Sequence, residues 1–129
     1  MGELLFSQFP ELVAEADEIL GYSLIDLCLS PESSEKLGHT QFTQPALYVV
    51  SCLQAMIEQD AGGDPPTFFA GHSVGEYAAL STAKAFSFSD GLKLVAKRGE
   101  IMAKISGGGM AAVIGLEPSR IKEVLAEID

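Results

Sequence analysis

The sequence predicts an α/β fold, a parallel sheet covered by helices, which these 129 residues fill only in part. Three observations carry that prediction. "TFFAG", residues 67–71, is short, apolar and β-prone, and it runs through a glycine straight into a helical pattern. "MAAVIGL", residues 110–116, has strand character again after a run of glycines. Around these two strands stand more helices than two strands can support, and the last helix reaches Asp129 with no closing strand. The expectation is therefore a piece of a larger enzyme.

Each element has a local reason. Residues 3–9 read as a short helix. "FPELVAEADEILG" follows, with Pro10 in a first-turn position, Glu11 near the positive helix end and Gly21 as the stop. Its residues Leu12, Val13, Ala16, Ile19 and Leu20 make one apolar face. "SLIDLCLS" is a short apolar helix or turn, and "PESSEKLGHTQF" a polar loop. "TQPALYVVSCLQAMIEQ" is a strong helix, opening at Thr43 or Gln44 before Pro45, with an apolar stripe broad enough to be buried on much of its surface. "AGGDPP" breaks the chain. After the first strand come helices at about 74–84 and 88–105. "SGGG" is a hinge, and "EPSRIKEVLAEI" a capped helix. The tyrosines and phenylalanines are expected in the core.

Composition narrows the class. The chain is 47% hydrophobic and 20% charged, which is globular. No apolar stretch reaches the roughly 18 residues of a membrane span, and the acidic N-terminus is no secretory signal. A formal net charge of −10 argues against nucleic acid and anionic membrane as partners. Cys28 and Cys52 have no metal spacing and read as core residues of a reducing, cytoplasmic compartment. Residues 1–35 hold eight acids and no base, whereas five of the eight basic residues lie between Lys84 and Lys104. That basic strip is either a solvated helix face or a surface for an acidic partner.

The chemistry centres on Gly71-His72-Ser73-Val74-Gly75, a G-x-S-x-G pentapeptide with a strand before it and a helix after it. In a sharp strand-to-helix turn, small residues two places either side of the serine let strand and helix approach, and the hydroxyl is lifted clear of the sheet. The Val74 amide then faces the place where a tetrahedral oxyanion would form, and the new helix adds its positive end. The competing reading is a serine that merely caps the helix between two packing glycines. A nucleophilic serine needs a base, usually histidine. His72 sits too close in the turn and more often orders such a site. His39 lies in a loop, as a base or a plain surface residue. The base is expected to lie outside these residues.

Arg98 is the second informative position. Its helical neighbours are Leu94, Val95, Ile101 and Met102, while Lys93, Lys97, Glu100 and Lys104 form the solvated face. A cation planted on an apolar stripe demands a partner. Either an internal carboxylate such as Glu76 pairs with it, or it awaits a carboxylate on a substrate, which its fork suits. The glycines at 107–109 lack the strand-before, helix-after setting of a phosphate loop and read as a linker.

"TQPALYVV", "AGHSVGEYAAL", "GLKLVAKRGEIM" and "GGGMAAVIGL", in this order and spacing, resemble the malonyl-CoA:acyl-carrier-protein transacylases, above all the free-standing acyltransferases that serve polyketide synthases lacking their own. The resemblance covers essentially the whole chain and includes the 25-residue separation of Ser73 and Arg98. It implies an incomplete α/β-hydrolase-like large subdomain over residues 1–106 and the beginning of a ferredoxin-like small subdomain over 107–129. It implies that Ser73 takes the malonyl group from malonyl-CoA as an ester and passes it to the phosphopantetheine thiol of an acyl carrier protein. Arg98 would bind the malonyl carboxylate, Val74 would give one oxyanion amide, His72 would lie beside the site, and Gln44 would line its floor. Val74 after the serine suits malonyl. No bound cofactor is implied, since the phosphopantetheine belongs to the partner and coenzyme A to the substrate. The family's glutamine-bearing loop with the second oxyanion amide, and its catalytic histidine, have no match in these residues, so the 129 residues alone are expected to be inactive. Two other functions stay open: a hydrolase that clears acyl groups from carrier proteins, and a non-catalytic fragment. Arg98 disfavours the hydrolase, which needs no substrate carboxylate.

Overall fold

The computed structural model describes residues 2–62, 64–108 and 110–128. Gly63 of the expected break, Gly109 of the expected hinge, and the termini Met1 and Asp129 lie outside the described residues. In chain order the elements are α1 (Glu3–Gln8), α2 (Pro10–Leu20), α3 (Leu24–Leu29), α4 (Ser34–Gly38), α5 (Thr40–Asp60), α6 (Gly75–Thr82), α7 (Phe88–Ala103) and α8 (Pro118–Ile128).

α5 is the axis of the body. It packs along α7 for most of its length and touches α6, α4 and α1. Tyr48, Val49, Cys52 and Leu53 are its innermost residues, as the broad stripe predicts. The Tyr48 hydroxyl donates to the Phe88 carbonyl at 3.0 Å, and the two rings stack at 5.8 Å, which fixes the start of α7 against the middle of α5. Ser87 caps α7: its hydroxyl accepts the Asp90 N–H and donates to the Asp90 carboxylate. Removing such a cap costs about 1 kcal/mol. α2 starts at Pro10 and stops at Gly21 in the left-handed conformation, as its sequence signals require.

Several expectations are corrected. The polar loop at 31–42 is helical: a 3-10 turn over Pro31–Ser33 leads into α4. The Lys36 ammonium lies 5.1 and 4.7 Å from the Tyr22 and Phe42 ring centres, which holds this stretch on the body. α5 begins at Thr40, a turn before the expected start, and carries Pro45 within it. The turn ahead of the proline is secured by the Thr43 hydroxyl, which donates to the carbonyls of Leu37 and His39.

The larger correction concerns the strands. Neither 67–71 nor 110–116 forms a ladder. A strand exists only through hydrogen bonds to a neighbour, and no partner strand occurs among the described residues. Their apolar side chains consequently stay in solvent. Phe68 is 87% exposed and Phe69 is exposed too, against the expectation that phenylalanines are core. Met110, Val113 and Ile114 are exposed as well, and no described residue of α8 is buried. Cys28 and Cys52 do sit as thiols in the core, where burial pushes both up in pKa.

Candidate active site

Apart from the strand before it, which does not form, the turn between residue 71 and α6 is built as the pentapeptide predicts, with one exception. Ser73 has φ +54°, a left-handed conformation that costs a non-glycine residue about 1–2 kcal/mol. The turn closes through Gly75 N–H to His72 C=O at 2.9 Å and Glu76 N–H to Ser73 C=O at 3.1 Å. A Cβ on Gly71 would lie 2.1 Å from the Gly75 carbonyl, so only glycine allows this approach. The exception is Gly75, where a Cβ meets nothing within 4 Å among the described residues.

The capping alternative for Ser73 fails. The N-cap of α6 is Val74, and no side chain caps the helix. The Ser73 hydroxyl is exposed and instead accepts a hydrogen bond from Arg98 Nη2 at 3.1 Å. The Val74 N–H meets no acceptor among the described residues, which leaves it available beside that hydroxyl.

Arg98 comes from the third turn of α7 and is half-buried. Its Nη1 donates to Gln44 Oε1 of α5, and the guanidinium lies 5.9 Å from the Tyr77 ring centre. Gln44 is only 6% exposed. Its own amide nitrogen donates to Thr40 Oγ1 at 2.8 Å and to Met102 Sδ at 3.3 Å. Gln44 thus lies under the guanidinium, and Ser73, Gln44 and Arg98 are brought together. Among the described residues no carboxylate comes within ion-pair distance of Arg98, and Glu76 does not pair with it. The apolar stripe around Arg98 is narrower than expected: Val95 is buried, but Leu94 and Ile101 are about half exposed.

The remaining α7 cations form the solvated face. Lys93 lies 3.9 Å from Asp90, Lys97 lies 2.8 Å from Glu100, and Lys104 also pairs with Glu100. The two lysines hold the Glu100 carboxyl at about 2, Lys104 contributing most.

Neither histidine reaches Ser73. His72 is exposed, and its ring makes no hydrogen bond among the described residues. His39 is exposed at the start of α5, in a shallow cleft with Glu32, Glu35 and Lys36 that does not include Ser73. A cleft of about 510 Å³ lies behind the turn against Ala55, Phe69, Gly71 and Ala79, and its lining includes neither Ser73 nor Arg98. The sequence analysis missed Thr40 and Tyr77. Thr40 lies four residues before Gln44 on one face of α5, a spacing that carries a signal only once 40–42 are read as helix.

Comparison with known proteins gives the chain its family. The profile of the acyl transferase domain family matches residues 1–129. The chain is 54% identical over 127 residues to the polyketide biosynthesis malonyl CoA-acyl carrier protein transacylase PksC of Bacillus subtilis, a match covering 98% of this chain and 44% of that protein. Among solved structures it superposes on malonyl CoA-acyl carrier protein transacylase from Burkholderia pseudomallei with a TM-score of 0.90 and 46% identity, covering 99% of this chain and 44% of that one. A type II polyketide synthase acyl-carrier protein in complex with its malonyl-transacylase gives a TM-score of 0.82 and 37% identity, over 99% and 43% of the two chains. This chain therefore spans less than half the length of each of these three proteins. The α/β class read from the sequence is that of these structures, and the described residues contribute helices to it.

Proposed function

We infer function from one premise: the chain belongs to the acyl transferase domain family. On that footing we propose that it carries the nucleophile and the acyl-carboxylate clamp of an enzyme that moves a malonyl group from malonyl-CoA to an acyl carrier protein. The observation that carries the proposal is a fixed cation, Arg98, with no carboxylate near it among the described residues and 3.1 Å from the hydroxyl of a strained, exposed serine.

The chemistry follows from that pairing. With Arg98 donating to its oxygen, Ser73 directs its own proton elsewhere, to a base. The freed oxygen attacks the thioester carbonyl, and the tetrahedral oxyanion gathers at the Val74 N–H. Collapse expels coenzyme A as a thiol and leaves malonyl as an ester on Ser73. The phosphopantetheine thiol of the carrier protein then attacks that ester, takes the acyl group and returns the proton to Ser73. Throughout, Arg98 holds the distal carboxylate of the malonyl group. A hydrogen bond between charged groups contributes about 1.5–3 kcal/mol, or roughly tenfold to a hundredfold in selection against a neutral acyl group.

The other assignments belong to the same proposal. The base comes from outside residues 1–129, because neither His72 nor His39 engages Ser73; His72 flanks the site. Residues 1–106 form part of the large, hydrolase-like subdomain, and those from 107 begin a second, ferredoxin-like one, to which the exposed α8 belongs. The thiol arrives on the partner and coenzyme A on the substrate, so the chain needs no bound cofactor for this reaction. The buried Cys52 thiol fits a cytoplasmic setting. Among the described residues no helix is long and apolar enough to cross a membrane.

The test is covalent labelling of the intact protein with malonyl-CoA, followed by peptide mass analysis with and without holo acyl carrier protein. The expected result is one malonyl ester on Ser73 that disappears as malonyl-carrier protein forms, and no ester in Ser73→Ala. An ester elsewhere would sink the proposal. Release of free malonate with no acylated carrier would replace it with a hydrolase.

A further inference from the structure

Arg98 is held in place by neutral groups alone among the described residues, and the hold runs further back than the guanidinium's own contacts. Gln44 Oε1 accepts from Arg98 Nη1, while Gln44 Nε2 donates to Thr40 Oγ1 at 2.8 Å and Met102 Sδ at 3.3 Å. We propose that Thr40 is a positioning residue for acyl selection: its hydroxyl locks the Gln44 amide with the oxygen turned to Arg98, so that the guanidinium is immobilised without losing its charge. This rests on the transacylase reading above and names a determinant within the same site.

The donor and acceptor inventory supports the lock. Arginine carries five N–H donors and no acceptor, so only the oxygen end of the Gln44 amide can face it. A flipped amide would set two donors against each other at Arg98 and offer its oxygen to the Met102 sulfur, which has no hydrogen to give. Arg98 and Met102 thus set the orientation, and Thr40, whose hydroxyl can accept or donate, anchors it by taking up the N–H that is sent its way. Gln44 is 6% exposed, so solvent cannot readily replace the threonine oxygen at its amide. Two guanidinium N–H groups are committed, to Gln44 and Ser73, and the rest remain for an incoming carboxylate.

The backbone brings these groups within reach. Gly99, next to Arg98, lies so near the first turn of α5 that a Cβ would sit 3.0 Å from the Gln41 Cα and 3.2 Å from the Thr40 carbonyl oxygen. Thr40, Gln44 and Arg98 therefore meet where the backbones of α5 and α7 approach each other closely. A carboxylate at position 44 would bind Arg98 more strongly, but it would also neutralise the charge that the substrate needs.

The experiment compares labelling rates of the intact protein with malonyl-CoA and acetyl-CoA, in wild type, Thr40→Val, Thr40→Ser and Gln44→Glu. Valine keeps the shape of threonine and removes the hydroxyl. Thr40→Val is expected to lower the malonyl-to-acetyl ratio by about threefold to tenfold, mainly through a higher KM for malonyl-CoA. Thr40→Ser, which keeps the oxygen, should restore most of the ratio, and Gln44→Glu should lower it by at least about tenfold. The proposal is overturned if Thr40→Val reduces both rates equally, if Thr40→Ser is as impaired as Thr40→Val, or if Gln44→Glu leaves the ratio unchanged. Failure of the wild-type protein to accept malonyl on Ser73 would overturn the transacylase reading itself; normal wild-type labelling with an unmoved ratio would sink the Thr40 inference alone.

Discussion

Helix α7 carries two kinds of cation. On one face Lys97 and Lys104 share Glu100, and Lys93 approaches Asp90, all in solvent. On the other face Arg98 is held by an amide oxygen and a serine hydroxyl and lies over the Tyr77 ring, with no carboxylate near it among the described residues. The first arrangement spends each charge on a neighbour and gains little, since exposed ion pairs contribute at most about 1 kcal/mol. The second fixes a charge in position and leaves it unspent. That difference separates a surface from a binding site on a single helix, and it is the physical content of the proposed selection for a dicarboxylic acyl group.

Replacing Arg98 should break the contrast most severely. Arg98→Ala removes both the charge and the donor to Ser73, and the malonyl-to-acetyl ratio should fall by about a hundredfold, corresponding to the upper end of a charged hydrogen bond. Arg98→Lys keeps the charge but loses the fork that reaches Gln44 and Ser73 together, so its loss should be intermediate, about tenfold. Competitive labelling with mixed acyl-CoA substrates measures both. An Arg98→Ala protein that still prefers malonyl would end the assignment.

A smaller and more structural effect is expected at Gly99. In Gly99→Ala the new methyl meets backbone atoms of Gln41 and Thr40, which cannot swing aside as a side-chain tip can. Overpacking of this kind costs about 1–3 kcal/mol, while alanine in a helix interior recovers up to about 1 kcal/mol. The net expectation is a loss of about 1 kcal/mol, visible as a few degrees in thermal midpoint. The malonyl preference should weaken with it, because α7 must lift away from the turn that holds Thr40 and Gln44. A stabilised Gly99→Ala protein with unchanged preference would show that the close contact is incidental.

The site was legible from the sequence where local rules act. The pentapeptide announced a strained serine, and Ser73 has φ +54°. Helical spacing put Arg98 among partly apolar neighbours and so marked it as a cation in need of a partner. The partner was not legible from spacing, and the family resemblance named Gln44 only as a residue of the site floor. Gln44 is 54 residues away, and only the crossing of α5 and α7 joins them. Thr40 was lost for a second reason, since it fell in a stretch expected to be loop that is in fact the first turn of α5. The fold was less readable than the site. The apolar stretches at 67–71 and 110–116 have strand character, but pairing is a property of two segments, and the second is not among the described residues. What periodicity alone decides, the helices α2, α5, α6 and α7, came out nearly as expected.

The subtlest test lies on the exposed face. Glu100 is only partly covered, and its bonds to Lys104 and Lys97 lower its carboxyl from an ordinary 4.5 to about 2. A carboxylate lowered in the folded state adds stability that is fully present above pH 4.5 and fades as the pH falls toward 2. Glu100→Gln should therefore melt slightly below the wild type at pH 7, and the gap should narrow on acidification below pH 4.5. The same substitution releases Lys97 and Lys104 from their shared partner and so gives α7 two further unpaired cations. Because both lysines are hydrated and lie on the face away from Ser73, the malonyl-to-acetyl ratio should not move. A ratio that rose in Glu100→Gln would mean that charge anywhere on α7 recruits the carboxylate. Selection would then be a matter of field rather than of the fixed geometry around Arg98, and the contrast between the two faces would lose its meaning.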